Sequence, residues 1–214
     1  MSKLETANRA SKLRAEDWVE EAYRAIAKGG VDAVAVEPLA KQLGVTKGSF
    51  YWHFKNRDAL LEATLKRWEE EATEAVISAA DRVADPRERL VGLAEEAFTS
   101  EGTVGGATGT EDQRVFLGHA FEQAVSDAAN DLVVRPVLRR VTERRIDYLE
   151  GCYLALGFSP DEARHRALLV YAAHTGTLRL VREVPDRMPS GGNYLAYREH
   201  LIATLIPKGV KEPT

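Results

Sequence analysis

Apolar residues recur three and four apart along most of this chain, the spacing of helices that bury one face. Trp18, Val19, Ala22, Ala25 and Ile26 mark a helix from about Arg14 to Lys28, stopped by Gly29-Gly30. Leu39, Ala40 and Leu43 mark a short one from Glu37 to Leu43, with Pro38 in its first turn, where a missing N–H does no harm. From Asn56 the series Leu61, Leu65, Trp68, Ala72, Ala75, Val76, Ala79 and Val83 predicts one long helix. From Arg57 to Val83 it would be about 40 Å long. Glu69, Glu70, Glu71 and Glu74 read as its solvated face. Asp85-Pro86-Arg87-Glu88 opens a helix to about Ser100, and Thr110 with Gln113 resembles a capping box for one through about Ser126. The next helix either begins near Pro136 or is kinked there, and it continues to Leu156. Ser159-Pro160-Asp161-Glu162 opens a helix to about Arg182, and a last one runs from Tyr194 to Ile206 before Pro207. The fold class is therefore all-α.

The connections carry as much information as the helices. Gly44 can take positive φ and end the helix before it, with Val45 as the accompanying apolar residue. Leu156-Gly157-Phe158 repeats the grammar of Leu43-Gly44-Val45. Thr46 stands as N-cap of another short helix. Two short helices joined by a tight glycine turn make a helix-turn-helix, whose second helix can enter a DNA major groove. Lys47 and Gly48 occupy the first turn of that second helix, where free N–H groups attract phosphate. Gly48 leaves room for a DNA backbone, and Ser49 can donate or accept a hydrogen bond. Phe50 and Phe54, four apart, face the small core; Tyr51, Trp52 and His53 lie on the other faces. Lys55 adds charge beside the next helix start.

The run LAKQLGVTKGSFYWHFKNRDALLEA strongly resembles the DNA-binding region of TetR-like (tetracycline-repressor-type) transcription regulators, the match covering roughly Ala22 to Glu62. The resemblance implies an all-helical homodimer with an N-terminal three-helix DNA-binding domain and a divergent helical ligand-binding domain. It also implies operator contacts from Thr46, Lys47, Tyr51, His53 and Lys55. Many relatives carry Ser or Thr just before the first helix of the motif; this chain has Ala35 and Val36. The candidate DNA-facing set is thus Thr46, Lys47, Gly48, Ser49, Tyr51, Trp52, His53 and Lys55.

Charge supports this placement. Across 214 residues the net charge is −4, which alone argues against a nucleic-acid binder. Residues 1–60 hold ten Lys/Arg and eight Asp/Glu, a balance of +2 that leaves −6 for the remainder. The basic surplus sits in the proposed DNA-binding part. Residues 1–13 are polar and basic, either a disordered tail or an arm that orders on DNA. The expected domains are 1–56, binding DNA, and 57–214, binding an effector and forming the dimer. The N-terminus lacks an apolar signal segment, and no stretch approaches the roughly 20 apolar residues that span a bilayer. A single cysteine, Cys152, excludes an intrachain disulfide and fits a cytoplasmic protein.

No catalytic or metal constellation stands out, and no cofactor is expected. His119 and Glu122 are three apart, but two ligands without partners are weak evidence for an ion. GTVGGATG, residues 102–109, lacks the ending of a phosphate loop and reads as a flexible connection or a gate to a pocket. Trp68, Phe116, His119, Tyr148, Tyr171 and His174 are the candidate ligand residues, apolar walls with a few polar groups. Trp68 has two readings: it borders the pocket, or it packs between helices. The helix from Pro160 has two opposed apolar faces, Ala167, Tyr171, His174, Leu178 and Val181 on one, Leu169, Ala173, Gly176 and Leu180 on the other. The second face, with Leu201 and Leu205 of the last helix, is the candidate dimer interface. The expected function is sequence-specific, ligand-released repression of transcription, with operator DNA, a small apolar or aromatic effector and a second copy of the chain as partners. An activator or ligand-independent regulator would carry the same DNA-binding part, and an enzyme with chemistry in the C-terminal part is the remaining alternative.

Overall fold

The computed structural model describes residues 13–98 and 110–208, the side chains of 110–116 excepted. The N-terminal arm, the 102–109 connection, the Thr110–Gln113 capping box and the Phe116 side chain lie outside the described residues. Among the described residues all regular structure is helical. The helices are α1 (Ala15–Gly29), α2 (Val36–Leu43), α3 (Lys47–Phe50), α4 (Arg57–Glu69), α5 (Ala75–Ala80), α6 (Pro86–Ala97), α7 (Thr110–Asp127), α8 (Val134–Ala155), α9 (Pro160–Glu183) and α10 (Gly192–Leu205). By contact the chain divides into two compact units, Met1–Glu70 with Leu117–Arg139, and Glu71–Phe116 with Arg140–Thr214.

In the first unit α1 packs against α4 and α2 against α1. Trp18, Ala22 and Ile26 of α1, Leu39 of α2, Phe50 of α3 and Leu60, Leu61 and Leu65 of α4 are all buried. The rings of Trp18 and Phe50 meet edge to face, centroids 5.3 Å apart. Arg57 opens α4 and reaches back, Nε donating to the Val34 carbonyl at 3.2 Å and Nη2 to that of Val31 at 3.0 Å. That guanidinium satisfies carbonyls in and just after the 3-10 turn Val31–Ala33, a tie that local periodicity gave no reason to expect. Arg67 of α4 donates to Glu20 of α1 at 2.7 Å, and Arg24 pairs with the same carboxylate at 2.8 Å. Burial alone would raise the pKa of Glu20, but the two arginines outweigh it and hold the carboxyl below its ordinary value.

The long helix departs from the expected pattern. After Glu69 it widens into a π-turn over Glu70–Glu74 and returns to α over Ala75–Ala80. A wider turn inserts one residue into the register. The buried series runs Leu61, Leu65, Trp68, then steps by five to Thr73 and on to Ile77. Ala75 and Ala79, expected inside, are exposed. The helix also ends at Ala80 rather than Val83. Arg145 of α8 fills the widened turn, Nε donating to the Thr73 hydroxyl at 3.0 Å and Nη2 to the Ala72 carbonyl at 3.1 Å. Arg144 pairs with Glu74 at 3.2 Å.

The second unit has its core in Leu90 and Ala94 of α6, Phe98 just after it, Cys152 and Tyr153 of α8, Phe158 in the connection that follows, Ala163 and Val170 of α9, and Ile206. The caps behave as local chemistry dictates. Asp85 accepts from the N–H groups of Arg87 and Glu88, and Ser159 accepts from that of Glu162. Gly157 has φ 87°, and the Phe158 N–H bonds the Tyr153 carbonyl at 3.3 Å, so α8 ends in the same reverse cap as α2. Of the two readings at Pro136, the helix start is the observed one. It begins two residues earlier, where Asp131 accepts from the N–H groups of Val133 and Val134.

Candidate nucleic-acid interface

The helix-turn-helix is built by one residue's backbone freedom. Gly44 sits at φ 70°, ψ 32°, the left-handed region where any Cβ costs energy. Its N–H bonds the Lys41 carbonyl at 3.2 Å, and that of Val45 bonds the Ala40 carbonyl at 2.9 Å. These are the two bonds of a Schellman motif. Val45 is buried behind the turn as its apolar anchor. The chain leaves in extended conformation at Thr46 and enters α3 at Lys47. Thr46 occupies the N-cap position, but its side chain makes no capping hydrogen bond. Ala35 begins α2 without a side-chain cap, as the lack of Ser or Thr there required.

Burial sorts the DNA-facing set. Thr46, Lys47, Gly48, Tyr51, Trp52 and Lys55 are exposed, Trp52 at 89% and Tyr51 at 57%. His53 is half-buried. Ser49 is 6% exposed and offers almost no surface to a base, because it falls on the same face of the short helix as Phe50. Phe50 is fully buried and Phe54 half-buried, their rings 5.8 Å apart. A Cβ on Gly48 would meet only the Thr46 hydroxyl, at 3.7 Å, so the chain itself does not require glycine there.

One partner of this set was not anticipated. Glu37, in the first turn of α2, accepts from Lys47 Nζ at 2.9 Å across the helix-turn-helix. The hydrogen bond and charge of each hold the Glu37 carboxyl below and the Lys47 ammonium above their ordinary pKa values. Opposite charges in two consecutive first turns were the available signal.

The candidate ligand residues fall in both units. Trp68 is 2% exposed and lies 5.9 Å from the ring of Phe121, which stacks on Tyr23 at 4.1 Å; His119 precedes Phe121 by two residues on α7. In the second unit Tyr171 shares a hydrogen bond with Thr142 at 3.1 Å, and His174, one turn along α9, meets Phe98 edge to face at 6.1 Å. Tyr148 donates to Asp81 at 2.7 Å, and burial together with that bond pushes its pKa well up. Burial also pushes the Cys152 thiol up, which makes it a poor nucleophile. Of the candidate dimer residues, Leu169 is 60% and Leu180 45% exposed. Ala173, Leu201 and Leu205 pack partly against their own core, and a Cβ on Gly176 would meet nothing within 4 Å. Among the described residues no helix is long and apolar enough to cross a membrane.

Residues 19–64 match the model of a family described as bacterial regulatory proteins, tetR family. The HTH-type transcriptional regulator TtgR of Pseudomonas putida is 40% identical over 60 residues. That alignment covers 28% of this chain and 28% of TtgR, so the chain matches well under two thirds of that relative's length. A transcriptional regulator from Rhodococcus sp. Rha1 shares the fold with a TM-score of 0.72 at 19% identity, over 94% of this chain and 100% of that one. FadR from Bacillus subtilis, solved in complex with stearoyl-CoA, gives 0.65 at 16% identity, over 92% and 100%.

Proposed function

We propose that this chain, whose residues 19–64 match the tetR family of bacterial regulatory proteins, is a DNA-binding transcriptional regulator of that family and acts as a homodimeric repressor released from its operator by a small apolar or aromatic ligand. The observation that carries the DNA-binding half is the Schellman turn at Gly44, which presents Thr46, Lys47, Gly48, Tyr51 and Trp52 together on the surface. Lys47 and Lys55 meet phosphates, which position the protein, while Thr46 and the exposed rings supply sequence choice. Ser49, being buried, is not carried forward as a base reader. Because every proposed DNA contact precedes Asn56, the DNA-binding domain is drawn as 1–56 and the effector and dimerisation domain as 57–214.

The second copy covers the outward face of α9, where Leu169 and Leu180 stand exposed and Gly176 allows close approach. Two copies place two recognition helices on half-sites about 34–36 Å apart, one DNA turn. Tyr171 and His174, a turn apart and half-buried beside Thr142 and Phe98, are the ligand contacts we carry forward. FadR, which shares the fold, was solved with an apolar-chained ligand, stearoyl-CoA. The ligand prefers a conformation in which the two recognition helices no longer match adjacent grooves, and its differential affinity sets how far the equilibrium moves.

Selection of duplexes from a random pool, followed by retention assays at several salt concentrations, tests the DNA half. Recovery of a palindromic sequence supports the dimeric repressor, and salt-insensitive retention without enrichment overturns it. Mass spectrometry of small molecules co-purifying with the protein tests the ligand half; a polar ionic effector would overturn the apolar assignment.

A further inference from the structure

We propose that Glu37 competes with DNA phosphate for Lys47, and so sets the strength and salt dependence of DNA binding. The proposal rests on the DNA-binding reading above. Glu37 and Lys47 are ten residues apart, on α2 and α3, and their side chains meet at 2.9 Å across the turn that defines the motif. Both are exposed, Lys47 at 56% and Glu37 at 74%, so the pair is screened and easily opened. An exposed pair adds little to the fold, and its consequence lies elsewhere. A phosphate that takes Lys47 must displace the carboxylate, and the freed carboxylate is then left beside a polyanion. It recruits a cation back from solution. Each lysine–phosphate contact otherwise releases about one counterion, so Glu37 cancels most of the release that Lys47 would give.

Removing Glu37 therefore has two linked effects that both need Lys47. The test uses the full-length protein and a short random-sequence duplex, since phosphate contacts do not depend on sequence. Glu37→Gln keeps the size and polarity of an exposed side chain. It should bind the duplex roughly three- to tenfold tighter at low salt, and its slope of log K against log salt should steepen by about one unit. In the Lys47→Ala background the same change should lose both effects. An equal gain with and without Lys47 would mean that Glu37 acts by general repulsion, and would overturn the proposal. So would Glu37→Gln binding identical to wild type. Failure of the DNA-binding reading looks different: the wild-type protein then shows no salt-sensitive retention at all. In that case the pairing is read in the free protein, where Lys47 should be modified by an amine-directed acylating reagent faster in Glu37→Gln than in wild type. Equal rates would overturn the pairing itself.

Discussion

The π-turn in the long helix makes a quantitative prediction, because one arginine fills it. Arg145 donates to the Thr73 hydroxyl at 3.0 Å and to the Ala72 carbonyl at 3.1 Å. Thr73 is 1% exposed, so water does not replace the lost donor. Arg145→Met keeps the length and the apolar stem and removes every donor. Leaving a buried polar group unsatisfied costs about 1–3 kcal/mol, and losing a charged donor to a carbonyl is of similar size. Arg145 is itself half-buried, so its own desolvation in the wild type offsets part of that sum. The expected loss is about 2–4 kcal/mol. For a chain of this size that is roughly 5–15 °C in melting temperature. Thr73→Val supplies the control. It removes the orphaned hydroxyl with little change in shape, so the double variant should be less destabilised than the sum of the two singles. Calorimetric melts of the four proteins decide the matter. Arg145→Met within about 0.5 kcal/mol of wild type, or strictly additive variants, would refute the idea that the guanidinium holds the widened turn.

Other residues supply separate tests. Lys55→Ala should weaken binding to all duplexes alike and lower the salt slope by roughly one unit, read by retention across a salt series. Lys47→Ala should also weaken binding to all duplexes but change the slope much less, because its carboxylate partner Glu37 already offsets most of that release. Gly176→Leu meets open space within its own chain, so the thermal stability of a dilute, monomeric sample should hold while sedimentation shows loss of the dimer; a wild-type monomer at micromolar concentration would refute the interface. Burial pushes the pKa of Tyr153 up to about 12, with its hydroxyl donating to the Leu205 carbonyl at 2.9 Å. Its unfolded value is about 10. A folded pKa above the unfolded one means the unfolded chain gives up the proton first. The contribution of Tyr153 to stability is therefore complete below about pH 10 and lost as pH rises through about 12. Alkaline denaturation of Tyr153→Phe should lack that component.

Whatever depends on neighbours a few residues away was legible in the chain itself. Gly44 and Gly157 end helices because only glycine enters the left-handed region without a Cβ penalty, and the following Val45 and Phe158 supply the apolar anchor. Asp85 and Ser159 open helices because their side chains accept from N–H groups two or three residues on. Those signals were sufficient for the all-α class, the helix-turn-helix and the exposed position of Lys47. Partners far away in the chain were a matter for tertiary packing. Periodicity placed Ala75 and Ala79 inside, yet a π-turn shifts the register to Thr73 and Ile77, and the group that fills it, Arg145, is 72 residues from Thr73. No local pattern encodes a donor at that distance. Arg57 tying down Val31 and Val34, and Glu37 holding Lys47, are of the same kind. Ser49 shows the remaining limit. In a helix of four residues one position of rotation separates the groove-facing side from the core, and only the packing of Phe50 against Trp18 fixed which side Ser49 took.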